Sequence, residues 1–215
     1  FAISIPVIMF GIYKLNKMVE NKREVLPLLA VAGAFIFVLS SLKLPSVTGS
    51  CSHPTGTGLG AILFGPAVTA VLSTIVLLYQ SIFLAHGGLT TLGANVFSMG
   101  IIGPLIGYAI YKTGMKSNLN TYVVVFLAAT FANWATYVAT ASQLSLAFPA
   151  EPGGILGSFK AFAGIFAVTQ VPLAIMEGAV TALIFKYIVQ LKSDALVKLN
   201  ALSKEGVRKL RGVTA

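Results

Sequence analysis

Apolar residues run in long unbroken stretches, at 25–42, 95–111, 121–141 and 161–189. Each approaches the roughly 20 residues that carry a helix across a bilayer core. A β-barrel would alternate apolar and polar positions with period two, and these stretches do not. Residues 1–13 read as the end of another span, too short to cross alone, which predicts an authentic N-terminus upstream of Phe1. The stretch 57–85 is interrupted at Gly65-Pro66, where proline lacks its N–H and disfavours helix at the residue before it. A short segment over 57–64, about 12 Å of helix, and a full helix over 66–85 are therefore predicted. So short a segment is tolerated in a membrane only where other helices cover its ends.

Charge then counts the crossings. The chain carries 15 Lys and Arg against 6 Asp and Glu. The cations gather at 14–23, at Lys112 to Lys116, and from Lys186 to Arg211. Such clustering follows the positive-inside rule for cytoplasmic loops and does not point to nucleic acid. The loop 14–24 and the tail beyond residue 190 both belong on the cytoplasmic side, so an even number of crossings separates them. The four plain spans satisfy that only if 57–85 enters and returns. Seven segments result, with the N-terminus outside and the C-terminus cytoplasmic in a multi-pass protein of the cell inner (plasma) membrane. The outer loops 43–56, 86–94 and 142–160 then hold only Lys43 and Lys160 as cations.

Composition agrees with this reading. Hydrophobic residues make up 56% and charged residues 10% of the chain, where soluble domains run near 25% charged. The predicted fold is an all-α membrane protein: one transmembrane bundle over 1–190, its first helix truncated, and a basic cytoplasmic tail over 191–215. That tail spaces leucines among its cations, as a membrane-surface helix or a flexible end would.

The polar punctuation carries the chemistry. Gly49 to Gly60, GSCSHPTGTGLG, places His53 in a glycine-rich outer loop, and imidazole suits a transition metal ion. Ser50, Ser52 and Thr55 flank it as candidates for contacts around the ion. Cys51, with no CxxC partner, reads as packing before soft ligand. His86, after the 66–85 helix, reads as an outer contact of the site or a partner for the helix dipole, not as a ligand. Asn95 reads as a helix N-cap or a hydrogen-bond partner of an outer loop.

Glu177 is an acid inside a span, a functional candidate by position. The competing reading has it protonated or bonded to a neighbouring helix. Ala30 and Ala34 share one helix face, a small-residue surface for packing within the chain or against another subunit. No pairing of nucleophile, base and orienting acid is present, and no phosphate loop ending in GK[ST]. The chain is expected to be a transporter component, not an enzyme.

Three ordered motifs, GSCSHPTGTGLGAILFGP, LAHGGLTTLGANVFSMGIIGP and AVTQVPLAIMEG, resemble the CbiM/NikM family over nearly the whole chain. These are substrate-capturing membrane components of energy-coupling-factor importers for cobalt or nickel. The resemblance implies seven membrane helices, a transmembrane coupling protein, a pair of cytoplasmic ABC-type ATPases and, in the cobalt branch, a small auxiliary membrane subunit. It implies no cofactor, only Co(II) or Ni(II) as cargo. The ion would sit among four nitrogens in a plane, one from the loop histidine that matches His53. The other three would come from a terminal Met-His segment that has no counterpart here. SCSHPTG is similar to the cobalt branch more than to the nickel branch. Alanines on the first core helix would contact the coupling protein, which assigns Ala30 and Ala34 that role. Two further readings stay open: a vitamin-binding subunit of the same architecture, and a non-transporting membrane scaffold.

Overall fold

Proline and glycine set several of the helix boundaries. The computed structural model describes residues 2–45 and 51–212. Helix α1 (Ser4–Asn21) is followed by a 3-10 turn and then by α2 (Leu26–Ser41), with Pro27 in its first turn. A two-residue antiparallel pair, β1 (Leu44–Pro45) and β2 (Cys51–Ser52), leads into the short helix α3 (Thr57–Phe64). Gly65, at φ +81°, breaks the chain there, and Pro66 opens α4 (Pro66–Phe83) because its fixed φ suits a first helical position. Helix α5 (Leu92–Asn95) continues through a π-helical stretch, Val96–Ile102, into α6 (Gly103–Gly114). Asn120 caps α7 (Thr121–Ala147), its side chain accepting from the Tyr122 N–H. Helix α8 (Gly154–Leu191) keeps Pro172 inside it, and α9 (Ser193–Lys198) and α10 (Lys204–Arg211) follow.

The seven predicted segments are all present: α1, α2, α3, α4, the continuous α5–α6 helix, α7 and α8. Among the described residues, five helices are long and apolar enough to cross a membrane. Several boundaries move. The first helix runs on through Lys14 and Lys17 to Asn21, where a loop over 14–24 is predicted, because long basic side chains at a helix end extend toward water without breaking the helix. The last helix spans 38 residues and begins at Gly154, not 161. At 1.5 Å per residue it extends about 57 Å, well beyond a hydrocarbon core of about 30 Å.

The bundle has two chemically distinct ends. At one lie β1, β2, the loop after α4 and the start of α8; here Ser4 at the head of α1 donates to the Gly93 carbonyl. At the other lie the cation-bearing ends of α1, α6 and α8, with the tail. The tail forms the short helices α9 and α10, docked on the bundle. Leu196, Ala201, Leu202 and Val207 are buried in the same core cluster as Tyr111, Val125 and Phe185. The Tyr111 hydroxyl donates to the Ala201 carbonyl at 2.7 Å, and Lys198 pairs with Glu24.

Between the ends, α7 and α8 form the most extensive pairing. A Cβ on Gly178 would collide with the Thr130 hydroxyl and the Phe126 carbonyl, so these helices meet at backbone distance. Outward-facing residues such as Ile75, Ile82, Val138 and Val168 are exposed. Apolar exposure on this scale marks a lipid-facing surface.

Candidate metal centre

The loop between β2 and α3 is held from two sides. Tyr137 of α7 grips His53 at the backbone: its hydroxyl accepts from the His53 N–H at 2.9 Å and donates to the His53 carbonyl at 3.1 Å. Two residues on, Glu177 of α8 takes the loop at its carboxylate. One oxygen accepts from the Thr55 hydroxyl (2.9 Å) and the Gly56 N–H (2.8 Å). The other accepts from the Thr55 N–H (2.6 Å) and from Asn133 of α7 (2.8 Å). Glu177 is thus bonded to a neighbouring helix, as one reading predicts, and also to the loop that carries His53. Gly56 makes this possible with φ +70°, since any side chain there would collide with the Ile36 backbone 2.8 Å away. Ser52 adds a contact from its hydroxyl to that of Thr169 in α8.

His53 projects toward His86 and Cys51. The imidazole rings stand edge to face, with centroids 4.6 Å apart. Cys51 Sγ lies 3.4 Å from His86 Nε2, and one ligand atom from each of the three residues falls within 4.8 Å of the others. The structure thus brings His86 and Cys51 beside His53, where sequence context reads Cys51 as packing and His86 as an outer contact of the site. His86 follows the end of α4 and turns back over the cavity, its amide bonded to the Gln80 carbonyl. Lys43 ties the two loops together, donating to the Leu84 carbonyl at 2.8 Å.

His53 Nδ1 lies 2.9 Å from the Pro54 carbonyl, which can only accept. The proton therefore resides on Nδ1, and Nε2 carries the lone pair. Burial pushes the His53 imidazole down to about 4, against the pull of the Pro54 carbonyl and with the help of Lys43. Burial also lowers His86 to about 4, with His53 and Lys43 adding to it, and raises the Cys51 thiol against the pull of Lys43. Both imidazoles are thus neutral at ordinary pH, as a metal ligand must be.

The three side chains open onto a cavity of about 320 Å³, lined also by Leu77, Asn95, Met99, Tyr137 and Phe166. Asn95 is not an N-cap. The helix begins three residues earlier at Leu92, and Asn95 has helical backbone and packs against Gly87 beside His86. Ser50 lies outside the described residues. Ala30 and Ala34 face outward on α2, both exposed. Tyr137 is the contact that sequence alone does not single out, since nothing local separates it from the other aromatics of the spans.

A helical bundle this apolar is a membrane protein, and two histidines and a cysteine at one end of it make a candidate metal site. Comparison with known proteins takes this further. Residues 1–195 match the family described as "Cobalt uptake substrate-specific transmembrane region", CbiM. A Methanosarcina barkeri protein named for cobalt transport, CbiM 2, is 68% identical, with all of this chain and 93% of that one aligned. A Methanocaldococcus jannaschii protein named for cobalt transport is 55% identical over 94% of this chain and 86% of its own length. The crystal structure of a truncated transition metal transporter superposes with a TM-score of 0.75 at 27% identity, covering 88% of this chain and 91% of that one.

The chain belongs to the CbiM family of cobalt transport proteins. It is a multi-pass membrane component of metal transport.

Proposed function

We propose that this chain captures Co(II) on the extracytoplasmic face of the cell membrane and presents it to an ATP-driven importer of the energy-coupling-factor type. The observation that supports this reading is His53. Its backbone is clamped by Tyr137, its loop is anchored to Glu177, and its Nδ1–H is engaged by Pro54, leaving Nε2 directed at the cavity. A ligand held in this way loses little freedom on binding an ion. The site lies at the end of the bundle poor in cations, and by the positive-inside rule that end faces out, with the tail in the cytoplasm.

The sequence holds no phosphate loop ending in GK[ST], and in this reading transport draws on a coupling protein and a pair of ABC-type ATPases. A small auxiliary membrane subunit belongs to the same assembly, and Ala30 and Ala34 are the contact toward the coupling protein. Ser52, Thr55 and Asn95 serve the site by holding its loops. Nickel is the second reading for the cargo, because Ni(II) accepts the same nitrogen donors.

Cells carrying the full importer, supplied with radiolabelled Co(II) or Ni(II), test this. His53→Ala is expected to abolish uptake while the chain stays in the membrane with its partners. Wild-type uptake in that variant would defeat the assignment, and the preferred ion identifies the cargo.

A further inference from the structure

Helix α3 stops after eight residues, and the bundle leaves a recess beyond its end. This cavity, of about 360 Å³, lies between α1, α6 and the tail, beside the turn at Gly65. A Cβ on Gly65 would meet nothing within 4 Å, so the open space begins at the backbone itself. Phe10, Phe64 and Tyr108 supply apolar walls, and Lys14, Lys112 and Asn200 supply the polar groups. A second cavity of about 450 Å³ shares Lys14, Phe64 and Asn200 with the first and adds Lys17 and Lys22.

Four lysines thus converge on one recess at the cation-bearing end of the bundle. Lys14 and Lys17 lie three apart on α1 and so share a face. Lys22 follows the end of that helix, and Lys112 stands in the last turn of α6. No carboxylate answers them: among the described residues, neither cavity is lined by Asp or Glu. Glu20 lines the groove on the other side of α1 with Leu15 and Leu26, and Glu24 pairs with Lys198. Lys14 Nζ instead lies 4.7 Å from the centre of the Phe10 ring, and Lys112 Nζ lies 5.4 Å from that of Tyr108. Lys112 also donates to the Asn200 carbonyl at 3.4 Å, and Lys22 donates to the Lys198 carbonyl. These contacts orient the cations without neutralising them. Lysines that merely reach for water at a membrane interface have no reason to gather around one apolar recess.

We propose that this recess binds an anionic membrane lipid, the phosphate among the lysines and the start of the acyl chains against Phe10, Phe64 and Tyr108. Free phosphate would use the same charge but leave the apolar walls in water, so the lining favours the lipid. Basic pockets between membrane helices take anionic headgroups by this combination of charge and depth. The site lies at the opposite end of the bundle from His53 and is independent of metal capture. A lipid held there touches α1, α6 and the tail together, fastening the tail at Asn200, whose φ of +56° turns the chain at the cavity edge.

Native mass spectrometry of the detergent-purified chain tests this, with phosphatidylglycerol or phosphatidylcholine of the same acyl chains added. Phosphatidylglycerol is expected to bind about tenfold more tightly. Each lysine near an anionic headgroup is worth roughly fivefold in affinity. Lys14→Gln with Lys112→Gln should therefore weaken phosphatidylglycerol binding by about tenfold or more, and Lys14→Arg with Lys112→Arg should retain it. Lys204→Gln with Lys209→Gln removes the same charge from α10, outside both cavities, and should bind as the unaltered chain does.

Equal affinity for the two lipids, measured on the unaltered chain, would overturn the site whatever the variants do. Equal losses in the two glutamine pairs would replace it by a diffuse surface charge. Displacement of phosphatidylglycerol by millimolar inorganic phosphate would overturn the lipid as occupant.

Discussion

At the scale of single residues, the site depends on a carboxylate that never touches its cavity. Glu177 accepts four hydrogen bonds, three of them from Thr55 and Gly56. An amide in its place keeps one acceptor oxygen and turns an NH₂ toward N–H and O–H donors. Each orphaned buried donor costs about 1–3 kcal/mol, enough to free the loop from α8. Glu177→Gln is therefore expected to lower Co(II) affinity by about tenfold or more, equivalent to about 1.4 kcal/mol, as read by calorimetric titration. Unchanged affinity would show that the anchor does not set the geometry of His53. Sequence marks Glu177 as unusual because an acid in a span is rare, yet its partner Thr55 lies 122 residues away. The contact of Cys51 with His86 escapes the sequence for the same reason: the two lie 35 residues apart.

At the scale of elements, α2 offers a clear test of coupling. Its buried face packs Leu28, Ala32, Ile36 and Leu39 into the bundle, while Ala30 and Ala34 remain exposed. Small residues on an exposed helical face let another helix approach closely in a membrane. Ala30→Leu with Ala34→Leu should leave Co(II) binding by the purified chain intact and reduce uptake by the assembled importer severalfold. Loss of binding would mean that the face serves the internal fold instead. Most elements were legible from apolar length and from Gly65-Pro66. The overlong α8 and the π-helical stretch after Asn95 were not, because helix continues wherever backbone bonds and packing allow, whether or not lipid surrounds it.

At the scale of the whole molecule, stability should follow the protonation of the site. His53 and His86 titrate near 4 in the folded chain, against about 6.5 for free imidazole. Between those values the unfolded chain binds protons that the folded chain refuses, so stability falls as pH drops through this window. The melting temperature of the metal-free protein is expected to decline from about pH 6.5 to about pH 4 and to be flat above it. Replacing both histidines by Gln should flatten the decline, as scanning fluorimetry across pH would show. A slope unchanged in the double variant would assign the acid sensitivity elsewhere.

The amino-acid order alone determined the number of segments and the separation of the cations from the loop that carries His53. These are one-dimensional quantities: the length of an apolar run and the sidedness of Lys and Arg need no knowledge of which helices touch. Tertiary structure alone decided which polar groups meet. Contacts between Cys51 and His86, Tyr137 and His53, and Glu177 and Thr55 arise because α4, α7 and α8 bring distant turns of chain to one end of the bundle. It also decided that the tail folds back: its leucines find the apolar gap beside Tyr111 and Phe185, and burial there outweighs exposure to water or the membrane surface.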